Sequence, residues 1–233
     1  MKIPVNALGV AYDYEEVLPG KNTIDFFAER FEGSDTDTKR IEQVLVRWLF
    51  TRSSAKKLLY SVLDLYSDAH VKFEISEPFS EREFDVLSWN QNAPEQAIAI
   101  ECKRAKIKRE SFQNNDVTGL KKLAEGVIQS RKLLKVGFYK THLLIMTVVD
   151  GRDRTMYNQL SRGANEKQFN KIIDFPNRSE LPEEVGLLFV EIVQTTDAPL
   201  SRTGFISVSV AKPPIPQVQK RSTTEKIVLF SNN

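Results

Sequence analysis

Residues 97–110 read AIAIECKRAKIKRE. The run begins apolar, then sets Glu101 and Lys103 two places apart, and Arg104, Lys106, Lys108 and Arg109 follow. In an extended backbone alternate side chains share a face, so Glu101 and Lys103 point one way and Cys102 the other. A surface Glu/Lys pair closing a strand is worth less than about 1 kcal/mol. That reading leaves unexplained why a strand ending in charges runs straight on into basic residues.

Working upstream, REFDVLSW (82–89) reads as a strand and NQNAPEQ (90–96) as a turn rich in Asn and Pro. The turn is short enough for REFDVLSW and AIAIEC (97–102) to form a hairpin. If they pair, Asp85 and Glu101 converge at the mouth of a sheet. Two neighbouring carboxylates repel and are costly to ionise unless a cation sits between them. Hard oxygen ligands suit Mg²⁺ or Mn²⁺. Before the hairpin, HVKFEISEPF (70–79) alternates Val71, Phe73 and Ile75 with polar residues, the period of a half-buried strand.

Further upstream the period becomes helical. Ile41, Val44, Leu45, Trp48 and Leu49 form one apolar stripe, with Ser, Asp and Thr of GSDTDTKR (33–40) as N-cap candidates. SSAKKLLYSVLDLYSDA (53–69) reads as a second helix with Leu58, Leu59, Val62, Leu63 and Tyr66 inside. Residues 1–33 have no clear period; a short strand and a helix near TIDFFAERF (23–31) are expected there. Downstream, residues 114–138 read as a helix capped by Asn115 or Asp116. THLLIMTVVD (141–150) is apolar on both faces, so it is expected to be a central strand, and the helix before it suggests a parallel crossover. LLFVEIVQT and GFISVSV add two strands, and KPPIPQVQKRSTTEK (212–226) reads as a Pro-rich polar tail forming a flexible arm. The order gives an α/β fold, a mixed sheet with helices, as a single domain over 1–233 with its core at 38–150 and its tail at 213–233.

The totals agree with a folded, water-facing chain. There are 233 residues, 41% hydrophobic and 27% charged, with a net charge of +2. The charge is unevenly placed. Residues 103–140 hold eleven Lys/Arg against three Asp/Glu, whereas the first fifty hold six against nine. A basic segment in a near-neutral chain suits a polyanion. Phosphate contacts are expected from Arg104, Lys106, Lys108, Arg109, Lys121, Lys122, Arg131 and Lys132, which would add affinity without sequence choice. Cys102 is the single cysteine, so no internal disulfide forms. No membrane span or signal peptide is legible, and the expectation is a cytoplasmic protein. His70 and His142 are isolated at strand starts and read as satisfied structural residues; no His/Cys spacing suggests zinc. Trp89 reads as a packing residue at a strand end, and Arg152 and Arg154 follow the central strand.

Asp85, followed by Glu101-Cys102-Lys103 at the end of an apolar strand, resembles the PD-(D/E)xK phosphodiesterase superfamily, which includes many restriction endonucleases and DNA-repair nucleases. The order of elements is similar over about residues 38–150. A second acidic-x-Lys, Asp37-Thr38-Lys39, falls at a helix start and has no paired strand. The resemblance implies a restriction-endonuclease-like mixed sheet flanked by helices, with additional C-terminal strands here. It implies a Mg²⁺-dependent endonuclease on DNA, with Asp85, Glu101 and the Cys102 backbone carbonyl as metal ligands. Lys103 would assist the attacking water. Glu42 sits on the helix where many members carry a further glutamate, and Gln129 on the helix where some carry a glutamine. Phe84 stands where the signature has proline, and Gln129 lacks the tyrosine that often accompanies it. Cutting two strands suits a homodimer. Two other readings stay open: an RNA-directed hydrolase, and a non-catalytic nucleic-acid- or protein-binding module with this fold, serving in a defence or mobile-element complex.

Overall fold

The quoted stretch forms β4 (Ile98–Ile107), ten residues long and buried throughout. The strand therefore runs five residues past Cys102, where the sequence reading ended it. The computed structural model describes residues 8–13, 37–51, 53–79, 83–150, 163–178, 180–194 and 203–231. β4 pairs in parallel with β5 (Lys140–Asp150), and β5 in parallel with β6 (Val185–Gln194). On the other side β4 pairs antiparallel with β3 (Phe84–Trp89), and β3 with β2 (His70–Ile75). β7 (Thr203–Lys212) and β1 (Leu8–Asp13) extend the sheet antiparallel beyond β6. The seven strands lie in the order β1-β7-β6-β5-β4-β3-β2. The parallel strands are central and doubly covered, as the unbroken apolar run of 141–150 requires.

α1 (Asp37–Thr51) and α2 (Ser53–Leu63) cover one face. Their apolar residues, among them Leu45, Leu49, Leu59 and Leu63, pack with Ile98, Ile100, Cys102, Leu144 and Met146. α2 stops earlier than expected. Asp64 takes a left-handed φ of 58°, and Asn90 brackets that turn, accepting from the Tyr66 N–H and donating to the Asp64 carbonyl. Tyr66 is thereby turned out and is 70% exposed, not inside.

The opposite face carries α3 (Ser111–Asn114), α4 (Leu120–Val136) and α5 (Glu166–Arg178). Leu123 and Val127 of α4 and Phe169, Ile172 and Ile173 of α5 pack on Ala105, Ile107, Leu143, Ile145 and Phe189. The N-cap of α4 is Gly119, at φ 97°, with no side-chain cap. Asn115, expected there, instead ends α3 at φ 55°. Gly119 is needed for space as well, because a Cβ there would lie 2.7 Å from the Arg104 carbonyl oxygen. α5 had no counterpart in the sequence reading. The expected helix near 23–31 lies outside the described residues, as do Arg152 and Arg154.

The C-terminal segment is not a loose arm. It ends in α6 (Arg221–Ser231), and buried Gln219 fixes its approach. The Gln219 side chain accepts from the Ala97 and Tyr139 N–H groups at 3.0 and 3.3 Å and donates to the Pro94 carbonyl and Thr224 Oγ1 at 2.8 and 2.9 Å. Thr223 donates to the Val136 carbonyl at the end of α4, and Ile227 joins Leu87, Trp89, Leu133 and Phe138 in a third apolar cluster. Among the described residues, no helix is long and apolar enough to cross a membrane.

Candidate active site

The hairpin supplies the first geometric constraint. Ser88, Leu87 and Val86 lie opposite Ile98, Ala99 and Ile100. One further step in that register sets Asp85 against Glu101, on the face they share with Leu87 and Ala99. The paired residues end at Val86 and Ile100, and a side chain takes over the next link: the Cys102 N–H donates to Asp85 Oδ2 at 2.7 Å. The strand beyond β3 is irregular at the same level. Glu74, between the pairs Phe73–Val86 and Ile75–Phe84, has φ 56°. A left-handed residue with a side chain costs roughly 1–2 kcal/mol, and such strain gathers at working sites.

Lys103 and Glu42 complete the group. The Lys103 ammonium hydrogen-bonds to Glu101 Oε1 and lies 3.9 Å from Glu42 Oε1. Glu42 comes from α1, on the other side of the sheet, so two layers meet where β3 parts from β4. The Glu101 and Lys103 side chains are 2% and 11% exposed, so their charges are poorly screened. Three carboxylates share one buried ammonium, and they repel one another. Burial, then the neighbouring Asp85 charge, push the Glu101 carboxyl up to about 8, against the pull of Lys103. Burial likewise raises the Glu42 carboxyl, with Lys103 opposing and Asp85 adding to the rise. Burial alone would lower the Lys103 ammonium; the Glu101, Asp85 and Glu42 charges together outweigh it and hold it above its ordinary value.

The sequence-predicted residues separate into two groups. Asp85, Glu101, Lys103 and Glu42 are brought together. Cys102 lies between them, fully buried, with its N–H aimed at Asp85. In an extended strand a residue's N–H and C=O point to the same edge, so its carbonyl faces the Asp85 side as well. Gln129 is on α4, one turn beyond Gly126, and its Oε1 is buried without a hydrogen-bond partner. Lys122 is exposed in the first turn of α4, near enough to lower the Glu42 carboxyl.

The basic residues are less uniform than their sequence suggests. Lys121, Lys122 and Lys132 are exposed along α4, and Arg109 is exposed in the turn after β4. Arg104 and Lys106 are strand residues at 4% and 6% exposure, taken inside because β4 continues past Cys102. They are not part of the open phosphate-facing surface expected of them. Arg131 is tied to Glu180 through its carbonyl and carboxylate. His142 also departs from expectation: it is buried, both ring nitrogens lack hydrogen-bond partners, and burial pulls it down to about 3. His70 stacks on Trp89, with ring centroids 5.1 Å apart.

A divalent ion suits part of this arrangement. Glu101 Oε2 is buried with no hydrogen-bond partner, and the acids outnumber the ammonium beside them. The oxygens of Asp85, Glu101 and the Cys102 carbonyl are the donor type that Mg²⁺ or Mn²⁺ prefers. Among the described residues, no group of three or more His, Cys, Asp or Glu side chains could hold an ion by themselves. A site with two acidic side chains would therefore need the backbone carbonyl and water. One residue near the centre escaped the sequence reading: Gly126 of α4, which a helix count treats only as a weak spot. An added Cβ there would lie 2.7 Å from Lys103 Cγ. No protein-family model matches the chain, and no curated protein sequence matches it.

Proposed function

We propose that this chain is a divalent-metal-dependent phosphodiesterase cutting DNA internally, on a restriction-endonuclease-like core of the PD-(D/E)xK type. The observation that carries the reading is the hydrogen bond from Cys102 to Asp85, which draws the hairpin aspartate onto the Glu101–Lys103 strand. Asp85, Glu101 and the Cys102 carbonyl would hold Mg²⁺ or Mn²⁺. Such an ion polarises a phosphoryl oxygen and lowers the pKa of a bound water. Lys103, kept cationic by its three acidic neighbours, orients the attacking water and offsets charge developing on the phosphoryl oxygens. Glu42 completes the acidic wall and holds Lys103 from the second side. The exposed Lys121, Lys122 and Lys132 give the duplex backbone a place to lie.

The test is incubation of supercoiled plasmid with the protein and Mg²⁺, comparing wild type with Lys103→Ala, beside calorimetric titration of Mg²⁺ into wild type and Asp85→Asn. The reading expects nicking or linearisation by wild type, loss of turnover with Lys103→Ala, and weaker ion binding with Asp85→Asn. No cleavage of any DNA form, together with no ion uptake by wild type, overturns it. A second reading, a non-catalytic binding module, draws on the fact that Glu101 already has a cation in Lys103. Under it, Asp85→Ala leaves both DNA affinity and biological activity unchanged. Parallel assays on RNA separate a DNA enzyme from an RNA-directed one.

A further inference from the structure

Gly126 stands in the interior of α4, where glycine costs about 1 kcal/mol relative to alanine. Its backbone is helical, so no unusual φ requires it. Space does. A Cβ at 126 would lie 2.7 Å from Lys103 Cγ, 2.8 Å from Leu143 Cδ1 and 3.5 Å from Lys103 Cε. The first two separations are shorter than carbon atoms tolerate. α4 therefore lies directly on the aliphatic stem of Lys103, with helix backbone where a side chain would ordinarily stand.

The stem has little freedom on its other sides. Neighbouring β4 residues are buried, Leu143 is 0% exposed, and the ammonium is held by Glu101 with Glu42 3.9 Å away. A four-carbon side chain has several rotatable bonds, and two acids alone do not fix its path. A helix backbone pressed against Cγ does. We propose that Gly126 is a positioning residue: its missing side chain lets α4 clamp the Lys103 stem, so that the ammonium is held at the Glu101 carboxylate with Glu42 on its second side. This rests on the reading of Lys103 as the group that serves the attacking water. The clamp itself is a property of the fold and can be tested separately.

Two readouts separate those claims. Reductive methylation followed by mass spectrometry reports on Lys103 without any activity. In wild type, Lys103 stays unmodified while Lys121 and Lys132 react. In Gly126→Ala, the stem is displaced and Lys103 becomes modified, while Lys121 and Lys132 react as before. With Mg²⁺ and plasmid, Gly126→Ala lowers kcat by about 100-fold, the scale of an ångström-sized misplacement, and leaves KM for DNA and Mg²⁺ uptake unchanged. If Gly126→Ala does not fold, the pair Gly126→Ala with Leu143→Val relieves the second crowded contact, keeps the one to Lys103, and is read in the same way. A folded variant whose Lys103 stays protected and whose kcat matches wild type overturns the proposal. A wild type that never cleaves DNA sinks the nuclease reading, while the methylation pattern still decides whether Gly126 sets Lys103.

Discussion

Glu101→Gln is the substitution that best separates what the site does for function from what it costs the fold. It keeps the side-chain shape and removes one of the three acidic charges around Lys103. A carboxyl that ionises near 8 rather than 4.5 carries a charging penalty of roughly 5 kcal/mol at high pH. The folded state holds this proton more tightly than the unfolded state does. Between 4.5 and about 8 the native chain therefore binds the extra proton, and stability falls as pH rises through that window. The glutamine variant has no such proton. In chelator, its urea stability should exceed that of wild type by ~2–5 kcal/mol above about pH 8, allowing for some relaxation around the charge, and should match it at about pH 4.5. Added Mg²⁺ should then stabilise wild type, because a ligand that binds only the native state adds RT ln(1 + [L]/Kd), and should do little for the variant. A variant less stable than wild type at every pH would show that Lys103 fully compensates Glu101. The three acids would then not crowd one another at a cost to the fold.

His142→Leu should stabilise the chain by ~1–3 kcal/mol, because it removes two buried ring nitrogens that have no partner. The same histidine is held down to about 3, so wild-type stability from this group is complete above 6.5 and is lost as pH falls through the window below it, by ~1.4 kcal/mol per pH unit. Thermal denaturation of both proteins between those pH values checks this, and equal acid slopes would refute it. Lys122→Ala should weaken DNA binding similarly on all sequences and lower the slope of log affinity against log salt by about one. Fluorescence anisotropy at several salt concentrations measures it, and an unchanged slope would remove Lys122 from the DNA path.

What the sequence revealed followed from local period. The alternation in 70–75 and the stripe of α1 placed their elements, and the short turn at 90–96 brought Asp85 toward Glu101. Three misses have other causes. α5 carries a legible N-terminal signal: Asn165 and Gln168 cap each other, each side-chain oxygen accepting the other's backbone N–H. Pro176 inside that helix masked it. Arg104 and Lys106 looked like loop residues, since charge normally signals solvent. They lie inside because β5 pairs with β4 along its whole length, from Ile98 opposite Lys140 to Ile107 opposite Val149. The tail looked mobile because proline and polar residues do not pack by themselves, yet Gln219 finds partners more than 100 residues away in Pro94 and Ala97. For Arg104, Lys106 and the tail, a distant partner overrides the residue's own preference. Gly126 is the sharpest instance, because its local cost has no local return. An interior helical glycine over a strand that carries a buried lysine is therefore a signal worth reading in a sequence, since only the pair of elements explains it.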